Sequence, residues 1–193
     1  MSALSTMLPL GLHSRSVAFC VLLWCLPGAA FSQNLPDYFP GPSTEGRDPP
    51  LSYRLEDVEI GLMRSGCFGT CPSYQVVISG DGQVTYVGRR FVRVEGEQHD
   101  AIDKKDVLRL LQSAYDRYFF DMRDSYTGKV FVDEREGTIT AGAMRITDVP
   151  SQYVWIKLGD YQRVVHRDIG GPTGLLELID LIDEVSGARR WVE

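Results

Sequence analysis

Cys67-Phe68-Gly69-Thr70-Cys71 sets two thiols apart by three residues, and nowhere else in this sequence do residue type and spacing come closer to a reactive constellation. Two neighbouring thiols can form a disulfide, cycle as a redox pair, or supply two ligands to a soft metal. On a regular helix the sulfurs would stand one turn apart and bridge poorly. Gly66 and Gly69 loosen the segment and Pro72 closes it. A turn of that kind can bring the Cα atoms to the roughly 4.4–6.8 Å that a bridge requires. The residues favour a structural disulfide that pins a turn between two strands. Against a redox pair, the spacing is not Cys-x-x-Cys, and nothing places Cys67 at a helix N-terminus, where a thiolate is stabilised. Against a metal site, two further ligands are needed, and His99 and His166 are remote in sequence and form no paired motif. Reduced, unpaired thiols are the remaining alternative. No catalytic residue, metal ligand or cofactor is assigned.

The other reactive side chains read more plainly. His99 sits in Glu95-Gly-Glu-Gln-His-Asp, a solvated setting, and His166 closes an apolar run, facing solvent or a polar edge. Asp121, Asp124, Asp133, Glu134 and Glu136 are crowded enough to suggest a hard cation, yet their spacing matches no calcium loop and reads as a solvated charged loop. The chain has no Gly-x-Ser-x-Gly elbow, phosphate-binding glycine loop or His-Glu-x-x-His pair. Its tyrosines and tryptophans, among them Tyr74, Tyr86, Tyr118, Tyr153, Trp155 and Trp191, are expected mainly in the core. A subset exposed together on an uncovered sheet face would form a binding surface.

The elements that must position these residues belong to one domain of a 193-residue chain that is 44% hydrophobic and 24% charged. The net charge of −6 argues against a nucleic-acid partner, because phosphate binding needs a basic face. Residues 1–32 read as a signal peptide. Arg15 precedes an apolar run, Val17 to Leu26, of about ten residues, too short for a bilayer core of about 30 Å. Pro27 and Gly28 break it. Small residues Ala30 and Ser32 then suit a signal peptidase, with cleavage expected after Ser32 or, alternatively, Ala30. The competing reading is an uncleaved anchor. Lipidation at Cys20 or Cys25 is disfavoured by the bulky residues before them, and no paired arginines precede the run. Cys20 and Cys25 leave with the signal, so the exported chain keeps Cys67 and Cys71, an even pair in an oxidising compartment, periplasmic or extracellular.

Residues 33–52, with Pro36, Pro40, Pro42, Pro49 and Pro50, read as an extended, mobile linker. Residues 53–193 then form the domain. Val58, Ile60 and Leu62 alternate with Glu59, Gly61 and Met63 as in a half-buried strand. Tyr74–Ser79 and Val84–Val87 form a hairpin about Gly80-Asp-Gly82, and Phe91, Val92 and Val94 suggest a fourth strand. Asp103 caps a helix striped by Val107, Leu110, Leu111, Ala114 and Tyr118. Residues 121–150 show no clear period, which suggests an insertion or mobile loop, with short strands at 138–140 and 144–146. Tyr153–Leu158 and Gln162–His166 make a second hairpin. A helix follows Pro172, carries Leu175, Leu176, Ile179, Ile182 and Val185, and stops at Gly187. The two hairpin segments share an outline, Tyr74-Gln-Val-Val-Ile-Ser-Gly-Asp-Gly and Tyr153-Val-Trp-Ile-Lys-Leu-Gly-Asp-Tyr, which fits either a duplication or a generic hairpin pattern. The predicted fold class is α+β, in two layers: an antiparallel sheet of hairpins with two helices packed on one face.

Arg64-Ser-Gly-Cys-Phe-Gly-Thr-Cys-Pro-Ser-Tyr74, then Ile78-Ser-Gly-Asp-Gly-Gln-Val-Thr-Tyr86, resembles the pattern Arg-x-Gly-Cys-Phe-Gly-x-Cys-Pro-x-Tyr of a bacterial family labelled as domain of unknown function 6438. Ile146-Thr-Asp-Val-Pro and Gly171-Pro172 before a Leu-rich helix are also similar, so the resemblance spans about residues 56–186. It implies the fold and an exported location, and brings no activity. The expectation is a non-catalytic binding or structural module of the cell envelope. Its partner is an unknown envelope protein or ligand, and it touches a membrane only through the signal segment before cleavage. The alternative is a small thiol–disulfide enzyme using Cys67 and Cys71.

Overall fold

The computed structural model describes residues 40–144 and 148–193. The expected signal segment, residues 33–39 of the linker, and residues 145–147 lie outside the described residues. Alternating apolar residues build β1 (Val58–Arg64), which lies at the centre of a seven-stranded sheet. The hairpin β2 (Ser73–Ser79) and β3 (Gln83–Arg90) flanks it on one side, and the hairpin β8 (Gln152–Leu158) and β9 (Tyr161–Ile169) on the other. With the edge strands β4 (Gly96–Ala101) and β5 (Ser125–Thr127) the order is β4-β3-β2-β1-β8-β9-β5. All pairings are antiparallel except β5 with β9. Helices α1 (Lys104–Asp116) and α2 (Thr173–Val185) and the short α3 (Arg189–Val192) complete the main body. The α+β architecture expected from the hairpin and helix periods is the one observed.

One face of the sheet carries Val58, Ile60, Leu62, Val76, Ile78, Tyr86, Val154, Ile156 and Leu158, which pack with Val107, Leu110 and Leu111 of α1 and Leu175, Leu178, Ile179 and Ile182 of α2. Each fully buried aliphatic side chain contributes about 1.5–3 kcal/mol. On the other face Trp155 is also completely buried, and its ring lies across Gly61 of β1. A Cβ at Gly61 would fall 1.9 Å from that ring, so glycine here is a packing requirement. Gly82 is required by its turn: φ is +93°, and its backbone meets Ile102 at 2.9 Å (Ile102 N to Gly82 O) just before α1.

Four expectations need correction. Phe91, Val92 and Val94 are not a strand. Phe91 turns the chain at φ 54°, and Arg93 and Val94 donate their N–H groups to Val192 and Trp191 of α3. The fourth strand is instead the polar Gly96–Ala101, which escapes an apolar search because an edge strand gains from charge. Tyr118 does not join the helix stripe: it sits beyond the end of α1 in the left-handed region and is exposed. Thr138 to Met144 is one strand, β7 (Thr138–Met144), paired with β6 (Lys129–Arg135) in a separate two-stranded sheet. Finally, the proline-rich stretch is no free tether at residues 41–44. Ser43 and Thr44 bond β9 at Val164 and Gln162, and Gln162 Nε2 donates to the carbonyls of Gly41 and Pro42. This covers part of the edge of β9 that β5 leaves open.

Candidate functional site

Cys67 and Cys71 are bonded, with Cα atoms 5.5 Å apart, in the loop between β1 and β2. Gly69 N–H donates to the Cys67 carbonyl at 2.9 Å and tightens the turn. The bridge closes a very short ring, and Phe68 inside it is 91% exposed. Both cysteines are half-buried. The loop therefore presents an aromatic side chain outward from a covalently closed turn.

Both flanks of this turn are anchored through the same carboxylate. Arg64 ends β1 and Tyr74 begins β2, and the two are register partners. Their side chains point to the helix side, where Asp183 of α2 meets both. Arg64 Nη2 donates to Oδ2 at 2.6 Å, and the Tyr74 hydroxyl donates to Oδ1 at 2.7 Å. Burial works against the guanidinium charge, and the charges of Asp183 and Tyr74 outweigh it, so the Arg64 pKa ends above its ordinary value. Burial, reinforced by Asp183, pushes the Tyr74 phenol well above its ordinary 10.0. Next in the same row, Arg167 donates to Gln152 Oε1 and to the Gly170 carbonyl, each at 2.7 Å. Burial, then the charge of Arg64, lowers the Arg167 pKa. A cleft of about 380 Å³ opens here, between the loop residues Cys71 and Pro72 and the residues Asp183 and Arg189.

A second polar cluster occupies the opposite face at the same end of the sheet. Spacing of two along β9 puts His166 and Asp168 on one face. His166 Nε2 and Ser151 Oγ both donate to Asp168 Oδ1, at 2.7 and 2.5 Å. The His166 ring stacks on Tyr153 at 4.3 Å, and burial followed by the Asp168 charge raises the Tyr153 pKa. Ser65, next to Arg64, exchanges two hydrogen bonds with Ser151, linking this cluster to the loop. Serine, histidine and aspartate are thus together, but the aspartate is the hub. Activating a hydroxyl needs the imidazole between hydroxyl and carboxylate, and here both donors converge on one oxygen. The arrangement ties the start of β8 to the end of β9.

The remaining candidates are dispersed. His99 is on exposed β4 beside Glu97, at 2.9 Å. Asp124 pairs with Arg163 and Asp133 with Arg135, which pulls the acidic run apart. Among the described residues no three metal-ligating side chains gather. Most of the aromatics expected in the core are there, and on the sheet face opposite the helices Trp155 is buried and Tyr153 half-buried, so these two make no exposed aromatic surface. Exposed apolar and aromatic residues include Leu51, Phe68, Phe91, Leu108 and Tyr118, with a further group on the β6–β7 hairpin. Sequence reasoning missed Asp183. Its signal was a lone carboxylate following Ile179 and Ile182 on the apolar stripe of a helix, a position where a charge is kept only when paired.

Residues 58–186 match the model of a family described as a domain of unknown function, DUF6438. No curated protein matches the chain.

Proposed function

Because this chain belongs to the DUF6438 family, whose description carries no activity, its function has to be read from the site, and we propose that it is an exported, non-catalytic binding module of the cell envelope. It displays Phe68 to a protein partner there. The observation that carries this reading is the 91% exposed Phe68 in a ring closed by Cys67 and Cys71 and flanked by Arg64 and Tyr74, both held by Asp183. An exposed aromatic costs solvation in isolation. With its backbone held by the ring, it is a more efficient anchor, because less backbone freedom is left to lose on binding. A disulfide in this role suits a periplasmic or secreted location, reached through cleavage of residues 1–32, with no nucleic acid involved.

The test is capture from envelope extracts by the exported protein, followed by affinity measurement with the captured partner. Phe68→Ala is expected to weaken binding by about tenfold or more, the ordinary effect of removing an aromatic anchor. Equal affinity of the two proteins would overturn the reading. The mature N-terminus, read by mass spectrometry of the exported chain, should be Gln33, or Phe31 for the alternative cleavage.

A second reading, a thiol–disulfide enzyme, is favoured by the partial exposure of both cysteines, which lets an attacking thiolate approach. Titration in graded glutathione buffers separates the two. A bridge that resists reduction in the native state is structural, and one that exchanges freely is redox-active.

A further inference from the structure

The β6–β7 hairpin stands as its own two-stranded sheet, and its side chains are unusual for such a position. Val130, Val132 and Ile139 share one face, and their exposures are 67%, 70% and 71%. The other face carries Lys129, Phe131, Asp133 and Arg135 along β6, with the Phe131 ring lying over Gly142 of β7. Among the described residues, β7 is the one strand paired with β6, so the outer edge of β6 presents an unfilled row of backbone donors and acceptors. An unfilled strand edge is a template for another strand.

We propose that the occupant of this edge is β6 of a second copy of the same chain, giving a symmetric dimer with a continuous sheet β7-β6-β6-β7. The charge pattern selects the register. In antiparallel pairing about a two-fold axis through Phe131, Lys129 stands opposite Asp133 of the second copy, and the relation repeats across the axis. Val130 then faces Val132 of the second copy, so apolar meets apolar on one face and opposite charges meet on the other. Shifting the axis to Val132 would set Lys129 against Arg135 and Val130 against Glu134, which is repulsive and mismatched. The Asp133 carboxylate already accepts from Arg135 Nε at 2.9 Å, and its other oxygen can accept from lysine. A one-residue slip of either strand would turn valines toward charged neighbours, which makes the register specific. This inference is independent of the Phe68 loop, whose residues take no part in it.

Sedimentation equilibrium of the purified protein over a concentration series tests it. The protein is expected to dimerise reversibly. Lys129→Asp and Asp133→Lys, each placing like charges opposite one another twice, should raise the dimer dissociation constant by at least about tenfold. Lys129→Asp combined with Asp133→Lys restores the complementary pattern and should return the constant to within about threefold of the original. Thermal melts of each variant establish that the main body is folded. A protein that stays monomeric at the highest attainable concentration overturns the proposal. So does a dimer indifferent to the single charge reversals, or one that the double exchange fails to restore.

Discussion

Replacing Asp183 by alanine should unsettle the whole motif end of the domain, and the size of the effect follows from what the carboxylate holds. Its side chain is 7% exposed and that of Arg64 is 23% exposed. Truncation strands a guanidinium at 2.6 Å from its former partner and a buried phenol at 2.7 Å. Removing one member of a fully buried pair costs about 3–5 kcal/mol. Arg64 retains some access to water, which lowers that figure, while the orphaned Tyr74 hydroxyl adds about 1–3 kcal/mol. A net loss of about 3 kcal/mol is expected, or a melting temperature lower by about 6–12 °C for a domain of this size. Asp180→Ala, one turn away on the exposed face of α2, is the control and should shift stability by less than about 0.5 kcal/mol. Tyr74→Phe removes a single hydrogen bond and should cost about 1 kcal/mol. Together with Asp183→Ala it should fall short of the sum, because both variants break the same bond. The measurement is a set of thermal and urea melts with the disulfide intact. If Asp183→Ala melts within a degree or two of the unaltered protein, the carboxylate does not anchor the loop and the reasoning fails.

Other outcomes follow from the same geometry. Gly61→Ala would drive a methyl group into the Trp155 ring and should cost about 3 kcal/mol or more in a denaturant melt; adding Trp155→Val should recover part of that loss, and an unaltered Gly61→Ala melt would contradict the packing. Replacing both Cys67 and Cys71 by serine should lower stability by about 2 kcal/mol, the entropy of so short a ring, with the fold retained by circular dichroism. Phe68→Ala should leave melting unchanged to within about 0.5 kcal/mol, since the ring is exposed, and should act on partner binding alone. Burial raises Tyr86 to about 12 and Tyr74 also above 10.0, so both stay neutral in the folded protein while their unfolded counterparts ionise. Stability should therefore be level with respect to these groups below pH 10 and fall as pH rises above it, a trend that Tyr74→Phe or Tyr86→Phe would weaken in an alkaline melting series.

The hairpins, the two long helices and the α+β class were legible because alternation and helical stripes record burial, and burial of Val58, Ile60, Leu62, Leu110 and Ile179 dominates the energy of this fold. The closely spaced cysteines were legible for a similar reason, since a five-residue ring that contains Gly69 and follows Gly66 can close locally. Where burial is not the governing term, local pattern was silent. Gly96–Ala101 is held as a strand by backbone pairing to β3 and by the ion pair of Asp100 with Arg190, neither of which leaves an apolar trace. The β6–β7 hairpin carries its apolar residues to solvent, so it mimics an irregular insertion.

What the amino-acid order determines by itself is the set of faces: which residues turn inward on each strand and helix, and where glycine and proline allow the chain to reverse. What only the tertiary structure decides is which remote faces meet. Arg64 and Tyr74 are ten residues apart and become neighbours through strand register, but Asp183 reaches them only because α2 crosses the end of the sheet. Such a contact depends on how two surfaces pack across more than a hundred intervening residues. No local propensity encodes that distance, so the role of the motif around Cys67 and Cys71 emerges only when the helix is in place.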